Sequence, residues 1–227
     1  MTEQEVLYNK IKDFPLFEDL SRMDVLFLLE YLDAHLELFE KGRVISQLSK
    51  IVNSFALILC GTLELSQYDY WGNRSIILIQ EAGDSVALPS TLFEEWTSPA
   101  AIFARSGCEL LFLESTKLRN PGCIAAPACV QLKINIAKQL ALKNVAILNK
   151  ISLINCRSTR EKVSLFLSRK AAVCRSNSFD IEFSRQEMAD FLSVDRCALS
   201  KELARMKRDG LIEYDRSHFE LKSLDLV

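Results

Sequence analysis

Histidine is scarce in this chain. Of 227 residues only His35 and His218 are histidines, and 183 positions separate them. A metal-dependent enzyme built on a β-rich scaffold needs two or three clustered histidines with a carboxylate, which this pair cannot supply. A serine hydrolase would need a Gly-x-Ser-x-Gly elbow and a base, and neither is present. These gaps point away from an enzyme. No apolar run reaches the ~20 residues of a membrane span. The opening MTEQEVLYNKIKDF carries acidic residues and no apolar core of a secretory signal, so a cytoplasmic protein is expected. The seven cysteines, at 60, 108, 123, 129, 156, 174 and 197, are scattered, contain no C-x-x-C and begin only at Cys60. Zinc and iron–sulfur sites need about four grouped ligands, so no metal is expected and free thiols are.

Bulk charge is also nearly absent, at −2 overall. It is unevenly spread. From residue 156 onward 14 Lys/Arg stand against 12 Asp/Glu, and before it 14 stand against 18. A C-terminal part of about +2 follows an N-terminal part of about −4, so any affinity for nucleic acid must come from local clustering. The length suits two modest domains.

What is present is most informative between Phe183 and Leu221. Ser184 with Glu187 three residues on has capping-box spacing, opening a helix whose apolar face is Met188, Ala189, Phe191 and Leu192. After a Ser193-Val194 turn, Asp195 is a second N-cap. The following helix, about 196–209, buries Leu199, Leu203 and Met206 and leaves Arg196, Cys197, Ser200, Lys201 and Arg205 on its open side. Gly210 ends it, and Leu211–Tyr214 and His218–Leu221 can pair as a wing around Asp215-Arg216-Ser217. Two capped helices with a short turn, donors near the start of the second and a wing behind fit a helix-turn-helix that enters a major groove. An ordinary helical hairpin with a wet surface is the competing reading. Ser184, Arg185 and Gln186, at a helix start, suit phosphate contacts, and Arg216 and His218 suit backbone contacts from the wing.

Upstream, residues 2–40 look mostly helical, with Ser21 and Asp24 as a cap pair. From about 36 to 113 short apolar runs alternate with turns at Lys41-Gly42, Cys60-Gly61, Trp71-Gly72-Asn73 and Ala82-Gly83-Asp84, the pattern of a β-roll or jelly roll. A long helix is expected from about Ala128 to Ile154. Along it Val130, Ile134, Ala137, Ala141, Asn144, Leu148 and Ile151 follow 4-3 spacing, beside a second stripe of Leu132, Ile136, Leu140 and Ile147. One stripe for the roll leaves Ile134, Ala137, Ala141, Asn144, Leu148 and Ile151 for a twin helix, with a buried Asn144 pair setting register. A single wide face inside a monomer is the alternative. Residues 155–157 look like a hinge, Ser158 with Glu161 caps the next helix, and Phe179, Ile181 and Phe183 alternate as a short strand.

SRQEMADFLSVDRCALSKELARMKRDGLI resembles the winged helix-turn-helix of the cyclic-AMP receptor protein/FNR (Crp-Fnr) family of bacterial transcription regulators. FALILCGTLEL is similar to the central hairpin of the family's roll, and the likeness covers nearly all of the chain. It implies an α+β protein: a cyclic-nucleotide-binding-like β-roll over 1–126, a dimerisation helix and hinge over 127–155, and a winged helix-turn-helix over 156–227. It implies a homodimer on a palindromic DNA operator, with RNA polymerase as a further partner. Arg196 matches a basic DNA-contacting position, while Ser200 and Lys201 match the Ser-Arg pair of FNR-like members. Cys197 stands where a base-reading Glu is usual, and a thiol is a poor acceptor for cytosine N4. The phosphate cassette after Gly83-Asp84 departs from the family. Leu88 replaces the ribose-binding Glu, the Arg position falls near Ser98, and no basic residue occurs between Arg74 and Arg105. A cyclic phosphate would find no cation there, which argues against a cyclic nucleotide. Phe93, Trp96 and Phe103, with Ile102 and Phe112, are the candidates for an effector pocket, against the plainer reading of them as core. The remaining alternatives are a heme-based NO/CO sensor using His35, and an adaptor that binds no DNA.

Overall fold

The computed structural model describes residues 3–47, 52–93, 95–120 and 126–222. Helices α1 (Glu3–Ile11) and α2 (Arg22–Tyr31) flank a 3-10 turn at Pro15–Phe17. Ser21 caps α2 as expected. Its Oγ accepts from the Asp24 amide and the Asp24 carboxylate accepts from the Ser21 amide, satisfying two donors that a helix start leaves open.

Eight strands follow: β1 (His35–Phe39), β2 (Val44–Ser46), β3 (Ser54–Cys60), β4 (Leu63–Tyr68), β5 (Arg74–Gln80), β6 (Ser85–Val86), β7 (Ala101–Ala104) and β8 (Cys108–Glu114). They form two four-stranded sheets, ordered β1-β8-β3-β6 and β2-β7-β4-β5. Strand β3 explains the unbroken Phe-Ala-Leu-Ile run, because both of its faces are buried. Phe55 and Leu57 pack with α1, α2 and the long helix. Ala56 and Ile58 face the inter-sheet cluster of Leu63, Val86, Ile102, Ala104 and Leu110. Each of the larger side chains among these contributes roughly 1.5–3 kcal/mol by burial.

Helix α3 (Ser115–Leu118) precedes α4 (Pro127–Ile154), which is 28 residues long. Pro127 opens α4, where its missing N–H costs nothing. One side of α4 buries Ala128, Cys129, Leu132, Asn135, Ile136 and Gln139. Asn135 Nδ2 donates to the carbonyls of Leu16 (3.1 Å) and Glu18 (2.7 Å), tying the helix to the 3-10 turn. The stripe reading holds for Leu132 and Ile136, whereas Ile147, expected beside them, is 38% exposed.

The chain divides into two compact units, residues 1–67 with 77–146 and residues 68–76 with 147–227. The second contains α5 (Thr159–Cys174), β9 (Ser178–Asp180), α6 (Arg185–Leu192), α7 (Arg196–Arg208), β10 (Ile212–Asp215) and β11 (His218–Leu221). Val163, Leu167, Met188, Leu192, Leu199, Leu203, Met206, Ile212 and Phe219 form its core.

Three short elements escaped the sequence reading: β6, a 3-10 turn at Leu88–Thr91, and α3. Each is shorter than one reading of its own periodicity. Strand β9 stops at Asp180 rather than running to Phe183, because its antiparallel partner β11 begins at His218, which stands against Asp180. One cysteine expectation fails. Cys129 is disulfide-bonded, while Cys60, Cys108, Cys156, Cys174 and Cys197 are free. Spacing along the chain does not report which thiols the fold brings together.

Candidate nucleic-acid interface

The two helices of the C-terminal unit are capped as their sequences require. The Ser184 hydroxyl accepts from the Glu187 amide at 3.2 Å, and the Glu187 carboxylate takes the Ser184 amide at 2.7 Å. Ser193 ends α6 in the left-handed region at φ 51°, and Asp195 accepts from the Ala198 amide at 2.9 Å to start α7. Two residues thus turn the chain, and the apolar faces close on each other with Leu199, Leu203 and Met206 at most 1% exposed.

The opposite side of α7 is open. Arg196, Cys197, Ser200, Lys201 and Arg205 are all exposed. Arg205 lies 3.6 Å from Glu202. Among the described residues, Arg196 and Lys201 form no ion pair, so both arrive with their donors unspent. The orientation of α7 is held from behind, where Arg160 of α5 reaches Glu202 (2.6 Å) and Asp209 (2.5 Å).

Helix α6 places its candidates differently. Ser184 and Gln186 are exposed and Arg185 is half-buried. Arg185 lies 5.1 Å from the rings of Tyr214 and Phe219 and donates to the Arg216 carbonyl at 2.9 Å. Desolvation lowers its pKa from the usual value. Gln186 Nε2 donates to Asp190 at 2.7 Å. Arg216 sits exposed at φ 51° in the wing turn. His218 faces β9, with its ring nitrogens 3.0 Å from Ser178 Oγ and 3.2 Å from Asp180.

Several residues that organise this surface were not singled out from the sequence. Asp190 is 9% exposed and takes Arg74 Nε at 2.8 Å as well as Gln186. Arg74 comes from the hairpin tip, Tyr68–Ile76, that belongs to this same unit. Lys150 donates to the Phe191 carbonyl and lies 3.9 Å from the Phe191 ring centre. Lys162 reaches the Leu192 and Ser193 carbonyls at 3.3 Å. Two ammonium groups therefore sit at the C-terminus of α6, where the helix dipole is negative. Burial first, and then Lys162, pulls the Lys150 pKa down to about 8. The available signal was a lysine on an otherwise apolar turn of α4.

On α4, all six seam candidates (Ile134, Ala137, Ala141, Asn144, Leu148 and Ile151) are exposed. With Val130, Leu142, Val145, Ile147 and Ile154 they leave a long apolar strip in water. Of the effector candidates, Phe93 is 59% exposed, while Trp96 and Phe103 are half-buried. A cavity of about 410 Å³ in the roll is lined by two further candidates, Ile102 and Phe112, with Val44, Ile45 and Val86 among others. Leu88 is buried at 1%, and the Ser98 hydroxyl donates to the Ala100 carbonyl at 2.5 Å. Neither residue offers a nucleotide what a Glu and an Arg would. His35 lies exposed on β1, its ring 5.6 Å from that of Phe112, and gives no enclosed axial position for heme. Among the described residues no group of ligand side chains could hold a metal, and no helix is long and apolar enough to cross a membrane.

Comparison with known proteins agrees with this geometry. Residues 36–120 match the cyclic nucleotide-binding domain and residues 161–226 the Crp-like helix-turn-helix domain. No curated protein matches the sequence. Solved structures do: the c-di-GMP responsive global regulator CLP of Xanthomonas campestris aligns at a TM-score of 0.72 and 14% identity over 89% of this chain and 100% of that one. A CooA mutant from Carboxydothermus hydrogenoformans aligns at 0.69 and 19% identity over 86% of each chain. FixK2 from Bradyrhizobium japonicum aligns at 0.66 and 16% identity over 84% of this chain and 93% of that one. A nucleotide-binding-type roll, a long helix and a Crp-like helix-turn-helix define a transcription regulator fold of the α+β class. The chain belongs to the Crp-Fnr family.

Proposed function

We propose that the protein is a homodimeric, sequence-specific DNA-binding transcription regulator of the cytoplasm that answers to an effector other than cyclic AMP. The observation that carries the reading is the open face of α7, where Arg196 and Lys201 present unpaired cations beside Ser200 and Cys197. Arg196 can donate two bonds to guanine O6 and N7, and Lys201 one point contact. Ser184, Gln186, Arg205 and Arg216 surround this face and suit phosphate contacts that set register without reading sequence.

The exposed apolar strip of α4 supports pairing with a second copy. Two α7 helices would then meet successive major grooves about 34 Å apart on a palindrome. Boundaries near residues 126 and 156 separate the sensing, pairing and DNA-reading parts. At a promoter, RNA polymerase is the further partner. An effector in the roll acts only through its differential affinity for the arrangements of the two heads, so DNA and effector each favour one of them. Leu88 and Ser98 argue against a cyclic nucleotide as that effector.

Selection of bound fragments from genomic DNA, followed by gel-shift titration of the recovered sequence, tests the proposal. Enrichment of a palindrome with half-sites one helical turn apart is expected. Failure to retain any fragment at moderate salt would overturn it.

A further inference from the structure

A second cavity lies within the N-terminal unit, between the end of β5, the Gly83 turn and α4, with a volume of about 420 Å³. That is within the range of small-molecule sites. Its polar wall is unusual. Lys143 donates to the Ser85 carbonyl, and Gln80 Nε2 donates to the same oxygen at 3.0 Å. Gln80 is 3% exposed and Ser85 fully buried, yet Gln80 Oε1 and Ser85 Oγ have no hydrogen-bond partner. A buried acceptor without a donor costs about 1–3 kcal/mol, so a chain that keeps one has left a position for something else.

The charges narrow the occupant. Lys143 and Asp84 both line the cavity, and Lys143 is the only cation among its lining residues. Burial draws the Lys143 pKa down to about 8, against the pull of Asp84. At neutral pH the ammonium is still mostly charged, and a carboxylate beside it restores the field that burial removes. A phosphate dianion would meet one ammonium and one carboxylate, a poor match. A zwitterion is complementary to that pair. The remaining wall, Phe14, Leu78, Leu142 and Ala146, is apolar.

We propose that this cavity binds an aliphatic or aromatic α-amino acid. Its carboxylate lies on Lys143, its ammonium on Gln80 Oε1 and Asp84, and its side chain against Phe14, Leu78, Leu142 and Ala146. The inference deepens the effector-responsive reading and rests on it for the site's regulatory meaning. The residues responsible, Gln80 and Lys143, lie outside the nucleotide cassette that begins after Gly83-Asp84.

The test uses the full-length protein without DNA. L-leucine, L-isoleucine, L-valine and L-phenylalanine are titrated by calorimetry and by shift of the melting temperature. Leucinamide, which lacks the carboxylate, and 4-methylpentanoate, which lacks the amine, are the controls. At least one amino acid is expected to bind at submillimolar concentration, with both controls at least tenfold weaker. Lys143→Met should abolish binding. Gln80→Leu should weaken binding at least tenfold, whatever the change in melting temperature from losing both the orphaned acceptor and the Nε2 bond to Ser85. No response to any of the four amino acids overturns the inference, as does equal binding by Lys143→Met or by the controls. Operator affinity is measured separately. Lost amino-acid binding with intact DNA binding sinks this inference alone, and the reverse result sinks the regulator reading.

Discussion

Lys201 and Arg185 show how one residue type, a cation near a helix start, divides by environment. Lys201 is exposed without an ion pair among the described residues, whereas Arg185 is spent between two rings and a wing carbonyl. Lys201→Ala is therefore expected to weaken binding to the selected operator by ~1–3 kcal/mol and to relax preference at one base-pair position, with a smaller loss on unrelated DNA. Equal losses on both in a competition titration would make Lys201 a phosphate contact instead. Lys150 is a different case, because its charge is buried. Its folded pKa, about 8, lies below the ordinary lysine value of 10.5. Between those two pH values the unfolded chain binds more protons than the folded one, so stability rises with pH across that window. The Phe191 carbonyl can still accept from the neutral amine. Lys150→Met should remove this contribution, so the urea midpoint of wild type should climb relative to the variant between pH 7.5 and 9.5. Parallel profiles would show that Lys150 titrates normally.

At the scale of elements, the β3–β4 hairpin turns on Gly61. Its φ is +88°, and an added Cβ would collide with the Gly107 carbonyl and with Cys108. The left-handed region alone costs an L-residue about 1–2 kcal/mol, and the backbone clash adds to it. Gly61→Ala should lower the urea midpoint markedly, whereas Gly72→Ala, with nothing near its Cβ but the same sign of φ, should cost less. Comparable losses would place the cost in φ alone. Elements of this kind were legible in the sequence because their signals are local. Cap pairs at Ser21, Ser184 and Asp195, the Gly61 turn and the Gly210 stop each act within four residues. The roll's strands were legible as apolar runs between turns. What stayed hidden depends on contacts between distant segments. Asp190 looks like a surface residue of α6 until Arg74, 116 positions away, reaches it. Gln80 and Lys143 carry no spacing signal, since they meet only through the carbonyl of Ser85.

For the whole molecule, the decisive surface is the outer stripe of α4. Leu148 is 57% exposed, Val145 56% and Ile151 43%. A soluble monomer rarely leaves so continuous an apolar strip in water. Ala137 and Ala141 on the same stripe allow two backbones to approach, and Asn144 between them can pair with itself and fix the register. Pairing also matters for affinity. In the proposed dimer, once one α7 helix was seated the second would reach its half-site at an effective concentration near the millimolar range, which would multiply binding on the order of 10²-fold or more. Leu148→Glu would set two carboxylates against each other across the seam. Sedimentation at micromolar concentration should then report a monomer, and affinity for the palindrome should fall toward that for a single half-site. Each head would stay folded, because Leu148 is absent from the C-terminal core. Asn144→Leu should keep the dimer, and by removing the polar register pin it should reduce discrimination between correct and altered half-site spacing. If Leu148→Glu still sediments as a dimer and binds the palindrome as wild type does, the copies pair through another surface, and the α4 strip must be covered by a partner of different sequence.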